Sequence, residues 1–474
     1  MDDTFKVRPQ LTVLSQEQMA QVHDYSLRIL SSTGVRVDSE QARRVFSQAT
    51  GQPAGGDRVR IPRELVEWAI EAAPESIGVY DRRGNRAFCL GDDEMRFGIG
   101  VTALYYQDPE TDQVTPFARE HMASMSRLGD ALPSFDVIST VGIVQDVAPE
   151  VLDLYATLEM TANAVKPLVV LVSDEERFPA VLDMLEHLHG DLASRPFIVP
   201  YFNPISPLVI NKGTVDKMLV AIERGLPFIY STYGMAGATT PLTQAGTLAL
   251  LNAELLAGLT LSQLVKEGAP IILGMLPAFF DMRGTGSFYD AISYALNLAC
   301  AEMMAFYRLP HAGTSGSGMG WGANLITSGH QWTNHLTACM GKAGLAPFVG
   351  DILGSKAFSP ASVVYSNEII AQARRLARGF VLDDAAVALD EIDQVGPGEN
   401  FLTSATTLKL FRRAYYVSDI FANLTLEEWQ AQGYPQAADL LRRYTRQLID
   451  KLVAPEDYED LMGRGEAFIR AWEV

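Results

Sequence analysis

The sequence predicts an α/β protein built as a closed TIM-type (β/α)8 barrel, with a helical and β-hairpin extension before it and a helical segment after it. Two observations predict this. Seven short apolar runs, rich in β-branched and aromatic residues, occur at 135–140, 167–172, 197–202, 227–231, 270–274, 310–314 and 347–350. Strands that are apolar on both faces belong to parallel sheets covered by helices. The connections between the runs are long enough to hold the crossover helix that parallel pairing needs. Seven such units fit a barrel better than an open sheet, although no eighth strand can be placed.

Residues 15–74 read as helical. Ser15 with Gln18 has the capping-box pattern, and apolar residues recur at Leu27, Ile29, Leu30, Val45, Leu65, Trp68 and Ala69. From 77 to 115 the chain is broken by turn formers at Arg82-Arg83-Gly84-Asn85, Gly91-Asp92-Asp93 and Asp108-Pro109-Glu110-Thr111. This predicts antiparallel hairpins outside the main core. A helix is expected over 116–128. The division expected is therefore an extension over 1–115, the barrel over 116–382, and over 383–474 an acidic, amphipathic helical segment packed on it.

Bulk properties exclude several functions. A formal charge of −19 repels nucleic acid and anionic lipid, and the arginine pairs at 43–44, 374–375, 412–413 and 442–443 are too short to make a basic patch. The three cysteines, Cys89, Cys300 and Cys339, have no C-x-x-C spacing, which argues against a disulfide framework, a zinc site or an iron–sulfur cluster. The acidic start carries no apolar export signal, and no run of about 18 apolar residues occurs. The expectation is a cytoplasmic protein outside the membrane.

In a barrel of this type the ligand groups lie on the loops after the strands. Three such loops stand out. Asn203-Pro204-Ile205-Ser206-Pro207 follows the third run, residues 233–241 follow the fourth, and the glycine-rich 315–322, ending Gly320-Trp321-Gly322, follows the sixth. Small residues there let backbone approach a ligand closely.

The stretch GMAGATTPLTQAGT at 234–247, continued by NAELLAG at 252–258, resembles the central signature of the trimethylamine methyltransferase superfamily. Similarity continues through Gly274, Asp281-Met282-Arg283, Phe358-Ser359-Pro360 and Gly396-Pro397-Gly398. The resemblance implies a TIM barrel that moves a methyl group from a methylated amine to the cobalt of a separate corrinoid protein. It therefore implies cobalamin carried by a partner rather than held tightly, no metal of its own, a small amine substrate and a homo-oligomer. No pyrrolysine is present, which places the chain beside members that resemble glycine betaine methyltransferases.

A quaternary nitrogen already makes its methyl groups electrophilic and leaves as a neutral amine, so positioning dominates and no acid, base or side-chain nucleophile is required. Such a cation has no N–H to donate, which favours recognition by aromatic faces. Phe97, Tyr105, Tyr106, Tyr201, Phe202, Tyr230, Tyr233, Phe279, Phe280, Trp321 and Trp332 are available. Tyr105, Phe202, Tyr233, Phe279 and Trp321 are the preferred set, because they sit at or just after predicted strand ends. For a betaine carboxylate the candidates are His330, His311, Arg283 and Asn203.

The chain departs from the resembling pattern around Asn324-Leu325-Ile326 with His330-Gln331, and around Ala405-Thr406-Thr407. Other quaternary donors, a cage that binds without transfer, and a barrel enzyme for an unrelated small anion therefore stay open. His187-x-His189 turns its imidazoles to different sides of a helix and makes a poor metal pair. Gly318-Met319-Gly320-Trp321-Gly322 lacks dinucleotide-loop spacing. Glu391, Asp393 and Glu399 read as solvated carboxylates rather than a glycosidase pair.

Overall fold

The computed structural model describes residues 6–53, 55–313, 320–342 and 344–472. Eight parallel strands form its centre: β1 (Arg96–Ile99), β2 (Val137–Ser139), β3 (Leu168–Val170), β4 (Ile198–Phe202), β5 (Phe228–Ala236), β6 (Ile271–Asp281), β7 (His311–Gly313) and β8 (Leu345–Val349). Each pairs with its neighbour in sequence, and β8 pairs with β1, setting Leu345 against Arg96 and Ala346 against Phe97. The sheet is therefore closed. A helix follows each strand: α1 (Arg119–Ala131), α2 (Leu152–Asn163), α3 (Phe178–His189), α4 (Lys212–Glu223), α5 (Gln244–Val265), α6 (Ala291–Tyr307), α7 (Leu325–Met340) and α8 (Pro360–Arg378).

All seven predicted runs hold barrel strands. The eighth strand is β1, inside the stretch read as hairpins. It is short, begins on an arginine paired with Asp92, Glu94 and Asp136, and contains Gly98, where a Cβ would come 2.4 Å from Val137 Cγ2. The two hairpins themselves are real. Ile77–Tyr80 pairs antiparallel with Arg86–Leu90, and their buried Ile77, Val79, Phe88 and Leu90 join the cluster filling the barrel interior, so this hairpin plugs the N-terminal end. Tyr105–Gln107 pairs with Val114–Pro116 and, with Asp351–Ile352 and Ala357–Phe358, makes a small sheet on the loops after β1 and β8.

The barrel interior is layered as side-chain alternation requires. Val137, Val169, Val199, Ile229, Ile272, Ala312 and Leu345 fill its middle, and Tyr201 with Phe348 closes it above, their ring centroids 5.0 Å apart. The opposite parity of each strand faces the helices and joins the large outer core.

Helix α5 is apolar on every side and is the one described helix long and apolar enough to cross a membrane, yet most of it is buried inside the protein. A helix apolar all round must be covered all round. Here β5 and β6 lie beneath it, and the helices of the N-terminal extension, Gln16–Arg28, Glu40–Thr50 and Arg63–Ala72, lie above it. The capping box read at Ser15 and Gln18 opens the first of them.

In the C-terminal segment, Ala437–Ile449 packs on α8 and α1, and Tyr458–Trp472 packs on α2 and α3. Asp457, just before the last helix, accepts from Arg82 Nη1 and Nη2 at 2.5 and 2.9 Å.

Close packing of α5 against β5 has a direct test. A Cβ on Gly258 would lie 2.2 Å from Tyr230 Cε1, and the Tyr230 ring is fully buried. Gly258→Ala should therefore cost about 1–3 kcal/mol despite the better helix propensity of alanine. Gly329→Ala, on a helix with open space at that position, should be neutral or stabilising. Urea unfolding of both decides it, and equal stabilities would refute the packing argument.

Candidate active site

The C-terminal mouth of the barrel gathers strained backbone and unpaired polar groups. Thr102, Leu208, Thr285, Leu353 and Ser355, on the loops after β1, β4, β6 and β8, adopt left-handed φ between 53° and 63°. Non-glycine residues hold that conformation at a cost, and such positions cluster where a loop must be aimed.

Alternation places Tyr201 of β4, and Asn203 just after it, on the inner face, with Ser231 and Tyr233 of β5 beside them. Tyr201 Oη and Ser231 Oγ are buried and find no hydrogen-bond partner among the described residues. The phenol lies beside Ser231 and Asn203 but is aligned for a hydrogen bond to neither. Burial pushes it up to about 12, against the pull of those two neighbours, so it is a neutral donor at physiological pH. Asn203 Nδ2 donates to Ser231 O at 2.8 Å, tying β4 to β5 at the mouth.

A cavity of about 320 Å³ opens above Tyr201 and Asn203, between the loops after β1 to β4 and the start of α4. Tyr201, Asn203, Thr102, Ile143, Glu175 and Lys217 are among its lining residues. Lys217 Nζ donates to Val172 O at 3.0 Å, and burial lowers its pKa while Glu175 opposes the shift. The Glu175 carboxylate rests on Gly213 in the first turn of α4, where a Cβ would come 2.6 Å from Oε2. That end of α4 has no side-chain cap, so the helix dipole favours an anion there. One wall thus carries both signs of charge.

The residues read from sequence separate clearly. Tyr233 and Asn203 stand at the mouth. Tyr105, 40% exposed, and Trp321, 65% exposed, stand on its rim; Trp321 O accepts from Gln107 Nε2 at 3.1 Å, which staples that loop to the small sheet. Residues 315–319 of the glycine-rich loop lie outside the described residues.

Phe202 is a correction. It is one position along from Tyr201 and so faces outward, packed edge-on against Phe178 with centroids 5.4 Å apart and against Phe228 at 5.5 Å. Phe279 likewise packs against the outer core. Arg283 lies on an exposed turn, its N–H bonded to Asp281 Oδ1. His330 sits between α6 and α7, with Nδ1 2.6 Å from Tyr294 Oη, and His311 is buried against those helices, where burial lowers its pKa to about 4. Neither histidine lines the mouth cavity. Sequence reasoning passed over Tyr201 in favour of Phe202 and missed Ser231, Lys217 and Glu175.

A sequence profile described as Trimethylamine methyltransferase (MTTB) matches residues 3–470. The chain belongs to this family. It is 27% identical to the trimethylamine methyltransferase MttB of Desulfitobacterium hafniense, covering 97% of this chain and 96% of that protein. It is 26% identical to a glycine betaine methyltransferase of the same species, over 97% of each. In fold it is similar to the monomethylamine methyltransferase of Methanosarcina barkeri, with TM-score 0.53, 9% identity, and coverage of 96% of this chain and 90% of that one.

The stretches that carry the family resemblance have structural roles. Met235 N donates to Thr239 Oγ1 at 2.9 Å, and the hydroxyls of Thr240 and Thr247 meet at 2.8 Å, which shapes the turn from β5 into α5. Asn252 Nδ2 bonds Ser26 Oγ and Tyr307 Oη at 2.9 and 2.8 Å, joining the extension and α6 to α5. Glu254 accepts from Ser206 Oγ and Leu208 N, both at 2.7 Å, and so holds the loop after β4.

Burial raises the Glu254 pKa from 4.5 to about 7, against the two bonds it accepts. A group that binds its proton more tightly when folded adds stability that is full below pH 4.5 and is lost as pH rises through about 7. The stability difference between wild type and Glu254→Gln should accordingly shift against the wild type by roughly 3 kcal/mol across that window. Urea unfolding at intervals of pH reads this, and a flat difference would mean that Glu254 is ionised throughout.

Proposed function

We propose that this protein transfers a methyl group from a small zwitterionic quaternary amine, glycine betaine or a close relative, to a corrinoid protein that docks over the barrel mouth. The observation that carries the reading is the mouth cavity. It sets the acid Glu175, the base Lys217 and the ring of Tyr201 around one space, which is the complement of a betaine rather than of a simple amine. Family membership supports methyl transfer from a methylated amine, and the glycine betaine methyltransferase among the relatives supports the substrate class.

The rim suits a partner-borne cofactor. Leu104, Leu242, Met282, Phe288, Trp321 and Leu325 are exposed around the mouth, the last at 92%, and apolar side chains so exposed mark docking surfaces. The Co(I) corrinoid of the partner would supply the nucleophile for an in-line displacement. This chain's residues then have three tasks. Lys217, Asn203 Nδ2 and the neutral hydroxyls of Tyr201 and Ser231 hold the carboxylate by charge and by donated hydrogen bonds. Tyr233 presents an aromatic face to the quaternary nitrogen, with Glu175 adding negative potential. Clamping the carboxylate at the floor leaves the methyl groups toward the open end, where the attacking atom must come from.

Calorimetric titration with glycine betaine, choline and trimethylamine tests the reading. Betaine should bind most tightly. Lys217→Met should weaken it by about 10-fold, the scale of a lost charge-assisted bond, and leave choline unchanged, whereas Tyr233→Ala should weaken both by about 1–2 kcal/mol. Choline binding as tightly as betaine, or losing as much as betaine in Lys217→Met, would overturn the carboxylate assignment. Demethylated product should form only when a Co(I) corrinoid protein is added.

A further inference from the structure

Residues 375–419 contain no buried residue, although they fold into Asp384–Val387, Leu389–Val395 and Ala405–Ala414. The segment is rich in apolar side chains left in water. Phe380, Leu389, Leu402, Leu408, Tyr415 and Val417 are each more than 60% exposed. Ordering backbone costs free energy that burial must offset, and a helix such as Ala405–Ala414, which buries no side chain fully, offsets little of it within this chain.

The segment leaves and rejoins the barrel at the end opposite the mouth. Phe380–Val381 pairs with Lys6–Val7, beside the end of α8, where Arg374 reaches Asp136 and Met95 O at the starts of β2 and β1. The chain returns where Arg375 Nη2 donates to Ala414 O at 2.9 Å.

Its charges are divided along its length. Residues 383–399 carry Asp383, Asp384, Asp390, Glu391, Asp393 and Glu399 and no base, whereas 401–418 carry Lys409, Arg412 and Arg413 and no acid. None of these nine side chains makes an ion pair with another described residue. A surface that is acidic in one half and basic in the other is complementary to itself when turned about a two-fold axis, as a symmetric contact requires.

We infer that residues 380–417 are a dimerisation arm whose occupant is the same arm of a second copy, the acidic half of each facing the basic helix of the other. The arm is long enough for the purpose, since a standard interface takes about 20–30 residues from each side.

The test is the mass of the full chain by sedimentation velocity. Wild type should sediment as a dimer or an assembly of dimers. Leu408→Asp with Phe411→Asp should halve its mass while leaving circular dichroism and ligand binding at the mouth unchanged. Arg412→Glu with Arg413→Glu should do the same, and mixing that variant with Asp390→Lys with Glu391→Lys should restore the dimer. Hydrogen exchange of 380–417 in wild type should slow as protein concentration rises. A wild type still monomeric at about 50 μM, above the micromolar-to-picomolar range that standard interfaces span, or an assembly indifferent to both pairs of substitutions, would overturn the proposal. So would an arm protected only when a different protein is added.

Discussion

The structure depends on one requirement, the covering of α5. With apolar residues on all its faces, α5 cannot lie on a barrel as an ordinary outer helix, wet on one side. The N-terminal extension exists in the fold to meet that need, and polar side chains that α5 carries inward tie it to its neighbours. Asn252 ties the extension and α6 to it. Glu254 reaches the loop after β4. A buried carboxylate is expensive unless hydrogen-bonded, so its position is sharply specified, and the loop it holds is the one that carries Asn203 to the mouth. Core packing and site geometry are in this way the same set of contacts.

Closure of the sheet supplies the second half of the argument. A closed barrel has no edge strand, which leaves its two ends as the places where backbone is free of the ladder. One end is plugged by the hairpin at 77–90. The other is left open, floored by Tyr201 and Phe348, and bordered by loops held in left-handed conformations. The unpaired hydroxyls of Tyr201 and Ser231 sit at that open end rather than in the sealed middle of the barrel. Among buried polar groups, those at a ligand-facing floor can be satisfied by whatever binds there.

Much of the fold was legible in the sequence, and the limits have physical causes. Strands β2 to β8 were visible as short apolar runs between helix-length connections, rich in valine or isoleucine in β2 to β6. β1 was not, because a four-residue strand with Gly98 and an arginine at its head has the composition of a hairpin arm; only closure of the ring assigns it. The site was harder to read. Tyr201 and Phe202 are equally aromatic neighbours at a strand end, and a single step of alternation sends one inward and the other into the wall. Phe279 was misjudged through the same ambiguity. Lys217 and Glu175 escaped notice since they come from a helix turn and a helix approach, not from the tip of a loop, and only the folded chain brings them to one cavity.

The placement of charge follows from the chemistry that the family resemblance implies. A strong fixed ion pair at the mouth would be satisfied in the empty protein and would have to be broken by the substrate. Lys217 instead has a backbone carbonyl as its hydrogen-bond partner, with Glu175 acting on it through the field alone, and the hydroxyl donors at the floor are uncommitted. In the proposed function each of these groups would gain a full partner only when a ligand with its own separated charges arrives. Discrimination then arises from what an incomplete ligand leaves unpaired, and that penalty outweighs the direct attraction whenever buried polar groups line a site. An amine lacking the carboxylate would leave the Tyr201 hydroxyl unpaired at the floor. The proposed selectivity for a zwitterion would therefore require no tight contact with the methyl groups themselves, which would stay accessible from above.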